Sequence, residues 1–496
     1  MFRTSLPLIT AAALLASMRP ARADPDPIDD KRHPGMAVFE AAMVIAIPGI
    51  VYWNTKGDQE IDFTIGSDWD SWVKKLTSSN NLRLDTNPFY VNAIRHPLTG
   101  VLDYQVVRSN GYSTSTATLV TLAKGVFWEY FVEYRENPSI NDMIFNGVGG
   151  YAIGEPMYRI GQLWRGSRVS YADRARTALF SPFDAFHDTY RKPKTWMRPS
   201  VWRTIDLAAG GLTRTTGPGP HSEFAAVADI DVVANRAFAE GGDYDDKVHT
   251  GEWSRLRIGA RLGRKTDGTA LTATSFRTQT TWIGRYHQSA DGDGRLFAIG
   301  SGFTYRQDWL GVERDRIAIG HLFGPQLALT RRRAGYELHW DTAIYGDFAL
   351  IQALVFNLDR PFPKPPPYYS SLQSDGYLDA FGVTATSRLR ARIGPWHAEI
   401  ELDAHALHQV VNHDRDPTGT GTNSSTITNP SSEISPAVTA VGVDEQRGFA
   451  RAQLTYQPGQ VGIALVGEGA ERRSTWRNDA RTLTDISVGA MLQLAY

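Results

Sequence analysis

Near Trp202 the spacing of apolar residues changes from a period of about 3.6 to a period of 2, and it keeps that period to the C-terminus. The last stretch shows it best. Ile486, Val488, Ala490, Leu492, Leu494 and Tyr496 alternate with Asp485, Ser487, Gly489, Met491 and Gln493. After Pro395, Ala398, Ile400, Leu402, Ala404 and Ala406 alternate with His397, Glu399, Glu401, Asp403 and His405. Leu256, Ile258, Ala260 and Leu262 alternate with Arg255, Arg257, Gly259 and Arg261 in the same way. Each segment has one continuously apolar face and one charged face.

A two-sheet sandwich in water alternates likewise, so the links between strands decide the reading. Gln457-Pro458-Gly459, Gly394-Pro395 and Arg333-Ala334-Gly335 are tight turns. Between them lie long links, Asn412–Glu445 and the Pro-rich Leu358–Gly376. Short turns at one end and long loops at the other are the pattern of an outer-membrane barrel of about 12 antiparallel strands. Tyr336–Asn357 is too long for one strand, and dividing it gives an odd total, which bacterial barrels avoid.

Before Trp202 the pattern is helical. Met36–Trp53 is apolar but contains Glu40 and Pro48, which suits a helix packed on others or at a membrane interface better than a span. Asp68–Ser78 is amphipathic, with Trp69 and Trp72 three apart. A turn-rich stretch containing His96-Pro97 and Gly100 leads into a helical pair from Ser113 to Gly166, joined at Asn137-Pro138. A last helical segment, Tyr171–Arg191, holds the breaker Ser181-Pro182. The expected fold is a transmembrane β-barrel over 201–496, preceded by an α-helical domain over 34–200 on the periplasmic side or plugging the lumen.

Residues 1–23 read as a signal peptide, with Arg3 as basic head, an apolar core from Leu6 to Met18 and Ala21-Arg22-Ala23 as cleavage site. Residues 24–33 form a charged, flexible start. Removing the signal takes three arginines and no acids, so the net charge of -1 becomes -4, which disfavours nucleic acid as a partner. Cysteine is absent, which excludes disulfides, thiolate catalysis and Cys-ligated metal.

Candidate chemistry concentrates between Gly125 and Glu155. Gly125, Glu129 and Glu133 recur every fourth residue, as do Asp142, Asn146, Gly150 and Gly154, so each set lies on one helix face. Acids on helices this greasy are costly unless paired. In an antiparallel hairpin Glu129 or Glu133 can approach Asp142 or Asn146, and two carboxylates together raise the pKa of one. With His96 as third member, such a centre could perform acid/base chemistry or hold a divalent cation. The candidate catalytic set is therefore His96, Glu129, Glu133 and Asp142, and the candidate binding set Arg108, Asn146 and Glu155. No cofactor is identified.

Blander readings compete. Ser139 and Asp142 have capping-box spacing and could simply start a helix, although capping leaves Glu129 and Glu133 unexplained. The small residues Gly150 and Gly154 suit close helix packing. His187 reads as structural, and Arg255, Arg257, Glu399, Glu401 and Asp403 as a solvated or salt-bridged barrel interior, with a role in pore selectivity as the alternative. No Walker loop, G-x-S-x-G elbow, HExxH or EF-hand pattern occurs.

DTNPFYVNAIRHPLTG, FWEYFVEY and PSINDMIFNGVGGYAIGE, followed by the barrel-like tail, resemble an uncharacterised bacterial outer-membrane family defined by a domain of unknown function. The resemblance covers residues 35–200. Gly125, Glu129, Ser139, Asp142, Asn146, Gly149 and Gly154 are also similar to a pattern of VanZ-like envelope proteins. His96 matches their upstream His, without the Asp-Lys that precedes it there. The aromatic C-terminus resembles the assembly signal of outer-membrane barrels. These resemblances imply outer-membrane lipid, the barrel-assembly machinery and an envelope lipid or glycan as partners. The alternative is a non-catalytic plugged barrel or pore for small solutes.

Overall fold

The computed structural model describes residues 32–56, 65–77, 82, 84, 87–165, 170–191, 202–216, 219–233, 242–265, 268–310, 313–352, 377–410, 443–476 and 479–495. The expected signal peptide, residues 24–31 of the charged start, and the links over 358–376 and 412–442 lie outside them.

The alternating half forms one antiparallel sheet: β1 (Trp202–Thr216), β2 (Gly219–Val233), β3 (Tyr244–Val248), β4 (Trp253–Lys265), β5 (Gly268–Gln288), β6 (Gly294–Leu310), β7 (Glu313–Arg333), β8 (Tyr336–Ile351), β9 (Leu378–Ile393), β10 (Trp396–Gln409), β11 (Val443–Tyr456), β12 (Val461–Trp476) and β13 (Asp479–Ala495). β1 pairs with β13 and β5 with β6, so the sheet closes on itself as a 12-strand barrel and leaves no free edge. β3 is not a thirteenth stave; it continues the position of β4 along the last residues of β5, Tyr244 opposite Gln288.

Both ends of the sheet chain, β1 and β13, open at one rim, here the terminal end. The turns Arg333/Tyr336, Ile393/Trp396 and Tyr456/Val461 lie there, as expected. The opposite rim, the loop end, departs from the expected run of long loops. The pairs Thr216–Gly219, Lys265–Gly268, Leu310–Glu313 and Trp476–Asp479 close it tightly, and only the links after β8 and β10 are long. The feared odd count also disappears, because β8 is a single strand ending at Ile351.

Alternation puts charge inside. Arg214 reaches Asp308 across the lumen at 3.1 Å, Arg255 reaches Asp341 at 2.9 Å, and Arg257 bonds both Glu399 and Glu401. Arg277 holds Asp403 at 2.8 Å. Apolar side chains close off the space on either side: Ile317, Ile319, Ile351, Leu378 and Leu407 toward the loop end, and Val248, Trp253, Tyr286 and Leu296 toward the terminal end. A cavity of about 140 Å³ remains among Arg257, Arg277, Arg306 and Arg451. A second cavity of about 460 Å³, lined by Asp206, His339, Arg390, Glu399, Gln453 and Gln493, lies toward the terminal end, so the strands' own side chains fill the lumen only in part.

Upstream are α1 (Pro34–Lys56), α2 (Trp69–Thr77), a π-helical turn (Val91–Arg95), α3 (His96–Ser109), α4 (Thr114–Phe127), a second π-helical turn (Trp128–Val132), α5 (Ile140–Gln162), α6 (Tyr171–Phe180) and α7 (Pro182–His187). Ser113 and Ser139 cap α4 and α5. Asp68 caps α2, accepting from the backbone and hydroxyl of Ser71, and these bonds hold its carboxyl below the usual range. Glycine permits the bundle's tight centre. A Cβ on Gly100 would stand 1.9 Å from the Asn146 carbonyl oxygen, and one on Gly150 2.6 Å from Thr121.

The bundle does not enter the lumen. His321 and Ile319 of β7 point inward, so Gly320 faces out, and a Cβ there would lie 3.3 Å from Val148 of α5. Phe145 packs edge-on against the outward Phe303 and Phe348, and Tyr151 lies 3.9 Å from Trp282 and donates to the Thr281 carbonyl. At the end of α5 and just past it, Ile160, Leu163 and Trp164 cover the outward Ile205, Ile230, Val232 and Leu256. Of the two expected placements, periplasmic or plugging the lumen, the geometry does not fit the plug: ion pairs already occupy the interior, and the apolar stripe of α5 pairs with the apolar outer wall instead. The register shifts in β4 to β8 all fall on this covered side.

Candidate functional site

The close approach of α3 to α5 brings three predicted residues together. His96 opens α3 one turn before Gly100, whose missing side chain lets Asn146 come close. His96 Nε2 lies 3.3 Å from Asp142 Oδ2, and its Nδ1 lies 3.5 Å from the Asn146 amide nitrogen. Asp142 is buried and the His96 side chain is 16% exposed, so the ring is the accessible face of the group. Asn146 is buried, and its Oδ1 has no hydrogen-bond partner among the described residues. Buried acceptors are rarely left so.

Glu129 and Glu133 play other parts. Glu129 is buried in the second π-helical turn, and its Oε2 accepts the Ser139 backbone N–H at 2.8 Å. Ser139 Oγ in turn accepts the Asp142 N–H at 3.2 Å. The expected capping box is thus completed by Glu129 from the neighbouring helix, which corrects the reading that capping leaves Glu129 unexplained. The backbone carbonyls of Glu129 and Glu133 both accept from the buried Lys75 of α2, the latter at 2.7 Å. Among the described residues no three His, Cys, Asp or Glu side chains converge as a group able to hold a metal ion. Of the expected centre of His96, Glu129, Glu133 and Asp142, the structure pairs His96 with Asp142.

Arg108 and Glu155 form a separate cluster about 13 Å further along α5. Glu155 accepts from Arg108 at 2.9 Å, from Arg159 at 2.5 Å and from Tyr104 at 2.6 Å. Arg108 also donates to the Tyr112 carbonyl and lies over the Tyr158 ring. Arg159 and Thr114 both donate to the Thr250 carbonyl between β3 and β4, so this cluster fastens bundle to barrel. The sequence reading did not single out Lys75 or Tyr104, whose partners lie dozens of residues away, nor Arg159, whose spacing of four from Glu155 was a signal that could have found it.

His187 is buried, as its structural reading supposed. Its Nε2 lies 2.6 Å from Glu40, whose other oxygen accepts from Asn110 at 2.6 Å. The acid that interrupts the apolar α1 is satisfied by α7 and the end of α3.

π-helical turns often mark functional positions, and two of them flank the His96 group: Val91–Arg95 leads directly into His96, and Trp128–Val132 carries Glu129. The two nitrogens of the His96 ring face a carboxylate and an amide, and an imidazole so held can pass a proton between its partners.

A family model, DUF3943, described as a domain of unknown function, matches residues 81–183. This segment contains every predicted site residue. No curated protein matches the chain. Among solved structures, the chain is similar to the Pseudomonas putida toluene transporter TodX, at 8% identity, 59% of this chain, 89% of that chain and a TM-score of 0.21. It is similar to the translocator domain of autotransporter NalP from Neisseria meningitidis, at 11% identity over 65% of this chain and 96% of that one, TM-score 0.19. The β domain of the Bordetella autotransporter BrkA gives 8% identity over 58% and 97%, TM-score 0.21. The assignment of the barrel rests on its own strand pairing.

Proposed function

We propose that this chain is an outer-membrane protein whose helical bundle lies in the bilayer beside the barrel and holds the polar headgroup of an envelope lipid or glycan at His96, Asp142 and Asn146. The observation that supports it most is the bundle's surface. α1 exposes Val38, Phe39, Met43, Ile47, Ile50 and Val51, and α4 exposes Leu119, Leu122, Val126 and Phe127. The uncovered wall of the barrel exposes Ile400, Leu402, Ile463, Leu465, Ile486, Val488 and Leu492. Apolar patches this large mark a membrane or partner surface, and both surfaces run side by side. α1 is long and apolar enough to cross a membrane. Trp396 and Tyr456, 5.0 Å apart and exposed at the terminal end, suit an aromatic girdle.

In lipid, the buried polar groups of the bundle are functional candidates by default. Glu155, Asp103 and Glu40 already have cationic or histidine partners. The Oδ1 of Asn146, buried without a hydrogen-bond partner among the described residues and lying beside the partly exposed His96 ring, is the acceptor we read as turned to a ligand. Hydrogen bonds there favour a hydroxylated or amide-bearing headgroup. The VanZ-like pattern on the same helices is in keeping with an envelope substrate, and the C-terminal aromatic with delivery by the barrel-assembly machinery.

The test is native mass spectrometry of the full chain purified in mild detergent, against His96→Leu and Asn146→Leu. A retained glycosylated or phosphorylated lipid lost from both variants supports the reading. The same lipid complement in all three proteins overturns it. A second reading, a scaffold with no ligand, is favoured by the capping role of Glu129, and that last outcome is the one it expects.

A further inference from the structure

α2 and the aromatic residues beneath it form a surface that the site above does not use. Trp69, Trp72, Val73 and Leu76 fall at i, i+3, i+4 and i+7, one stripe of a helix. Trp72 is half-buried: its ring lies 5.5 Å from Phe131, and its Nε1 donates to the Tyr130 carbonyl. Lys75 anchors the helix from its buried side through the carbonyls of Glu129 and Glu133. The stripe nevertheless continues into the open, where Trp69 is 71% exposed and Leu76 41% exposed. Asp70, Lys74 and Thr77 make the polar side.

The stripe stands at the loop end of the bundle, where the apolar outer sides of α1 and α4 finish in aromatics. Tyr52, Trp53, Trp128, Tyr130 and Tyr134 gather there: Trp53 stacks on Tyr134 at 5.1 Å, and Tyr52 lies 6.5 Å from Trp128. Aromatic side chains with a polar edge collect where hydrocarbon meets headgroups, and short amphipathic helices lie in that plane. The exposed apolar side of α1 runs without interruption into this collar.

We infer that α2 is an interfacial helix, seated in the headgroup–acyl boundary of the leaflet at the loop end, with Trp69 and Leu76 inserted and Asp70 and Lys74 in water. This rests on the reading that the bundle lies in the bilayer. It gives the His96 group a lipid roof on one side, so that a ligand would approach along the leaflet.

The absence of cysteine makes a site-directed spin-label test clean. Single cysteines at Ile47, Trp69, Asp70, Lys74 and Leu76 in the full chain, reconstituted in phosphatidylethanolamine–phosphatidylglycerol vesicles, would be probed with oxygen and a water-soluble nickel chelate. The expected result is oxygen-dominated relaxation at 47, oxygen accessibility at 69 and 76 several-fold above that at 70 and 74, and a shallower depth at 69 and 76 than at 47. Because Trp69→Cys removes an anchor, Leu76→Cys decides alone if the two disagree. Nickel accessibility at 76 equal to that at 74, with 47 still in lipid, overturns the interfacial helix and leaves the embedded bundle standing. Nickel accessibility at 47 overturns both.

Discussion

Glu129 and Ser139, ten residues apart across the turn between two helices, are joined by a carboxylate oxygen that accepts the backbone N–H starting α5. One acid thereby fixes where α5 begins, and with it the positions of Asp142 and Asn146 one and two turns later. Glu129 is a positioning residue.

Glu129→Ala leaves the buried Ser139 N–H without its acceptor, at a cost of about 1–3 kcal/mol. Glu129→Gln keeps an acceptor oxygen in the same place and should recover most of that loss. Thermal melting followed by helical circular dichroism checks the order wild type, Gln, Ala, while the heat-modifiable gel mobility of the barrel should not change. Equal loss in both variants would mean that the negative charge matters and the cap does not.

The glycines of the bundle differ in what they tolerate. Gly100→Ala and Gly150→Ala drive a methyl into the Asn146 carbonyl and into Thr121, and such overpacking costs about 1–3 kcal/mol or more. Gly125→Ala meets its nearest atom, Cβ of Asn146, at 3.7 Å, so it should be neutral or gain about 0.5–1 kcal/mol of helix stability. The same melting experiment separates the three, and a destabilised Gly125→Ala would sink the packing account.

The barrel could be read from alternation because inward and outward positions differ in chemistry at every second residue: Glu399, Glu401 and Asp403 do face the lumen between Trp396 and Gln409. The helical boundaries after Ser113 were legible from Pro138, Ser139 and the Ser181-Pro182 break. The stretch before Ser113, read as turn-rich, holds the helix α3, which Pro97 and Gly100 do not break because one sits in its first turn and the other in its close contact with α5. His96 was expected only as the third member of a pair made by Glu129 or Glu133 with Asp142, and the contact at Gly100 that brings α3 and His96 to α5 left no mark in the spacing. The docking side was not legible, because an apolar helix stripe suits the inner or outer wall equally until the lumen is seen to be crossed by Arg214, Arg255 and Arg257. The role of Glu129 was hidden for a different reason. A carboxylate capping a neighbouring helix leaves no mark in its own helix's periodicity.

Glu40 is the one acid within α1, and His187 meets it in the buried contact between α1 and α7. Removing one partner of a buried pair costs about 3–5 kcal/mol. His187→Ala should therefore release α1, seen as faster amide hydrogen exchange between residues 34 and 56 with the strands unaffected. Adding Glu40→Gln should restore part of the protection, because the amide carries no charge and can still bond Asn110. Unchanged exchange in His187→Ala would show that apolar packing alone retains α1.

The lumen is crossed by Arg214–Asp308 and Arg255–Asp341, and these pairs stand in the way of ions among the described residues. The expected planar-bilayer record of the wild-type chain is flat. Opening it would take loss of the cross-lumen arginines. Arg255→Ala should leave the buried Asp341 without its guanidinium, while Asp231 keeps Arg390, and destabilise the barrel before it conducts, since breaking a buried pair costs about 3–5 kcal/mol. Heat-modifiable mobility should therefore shift to lower temperature in that variant while conductance stays absent. A steady, ohmic wild-type conductance would instead return the pore for small solutes to first place, and the ion pairs would then have to be read as a gate that opens under voltage.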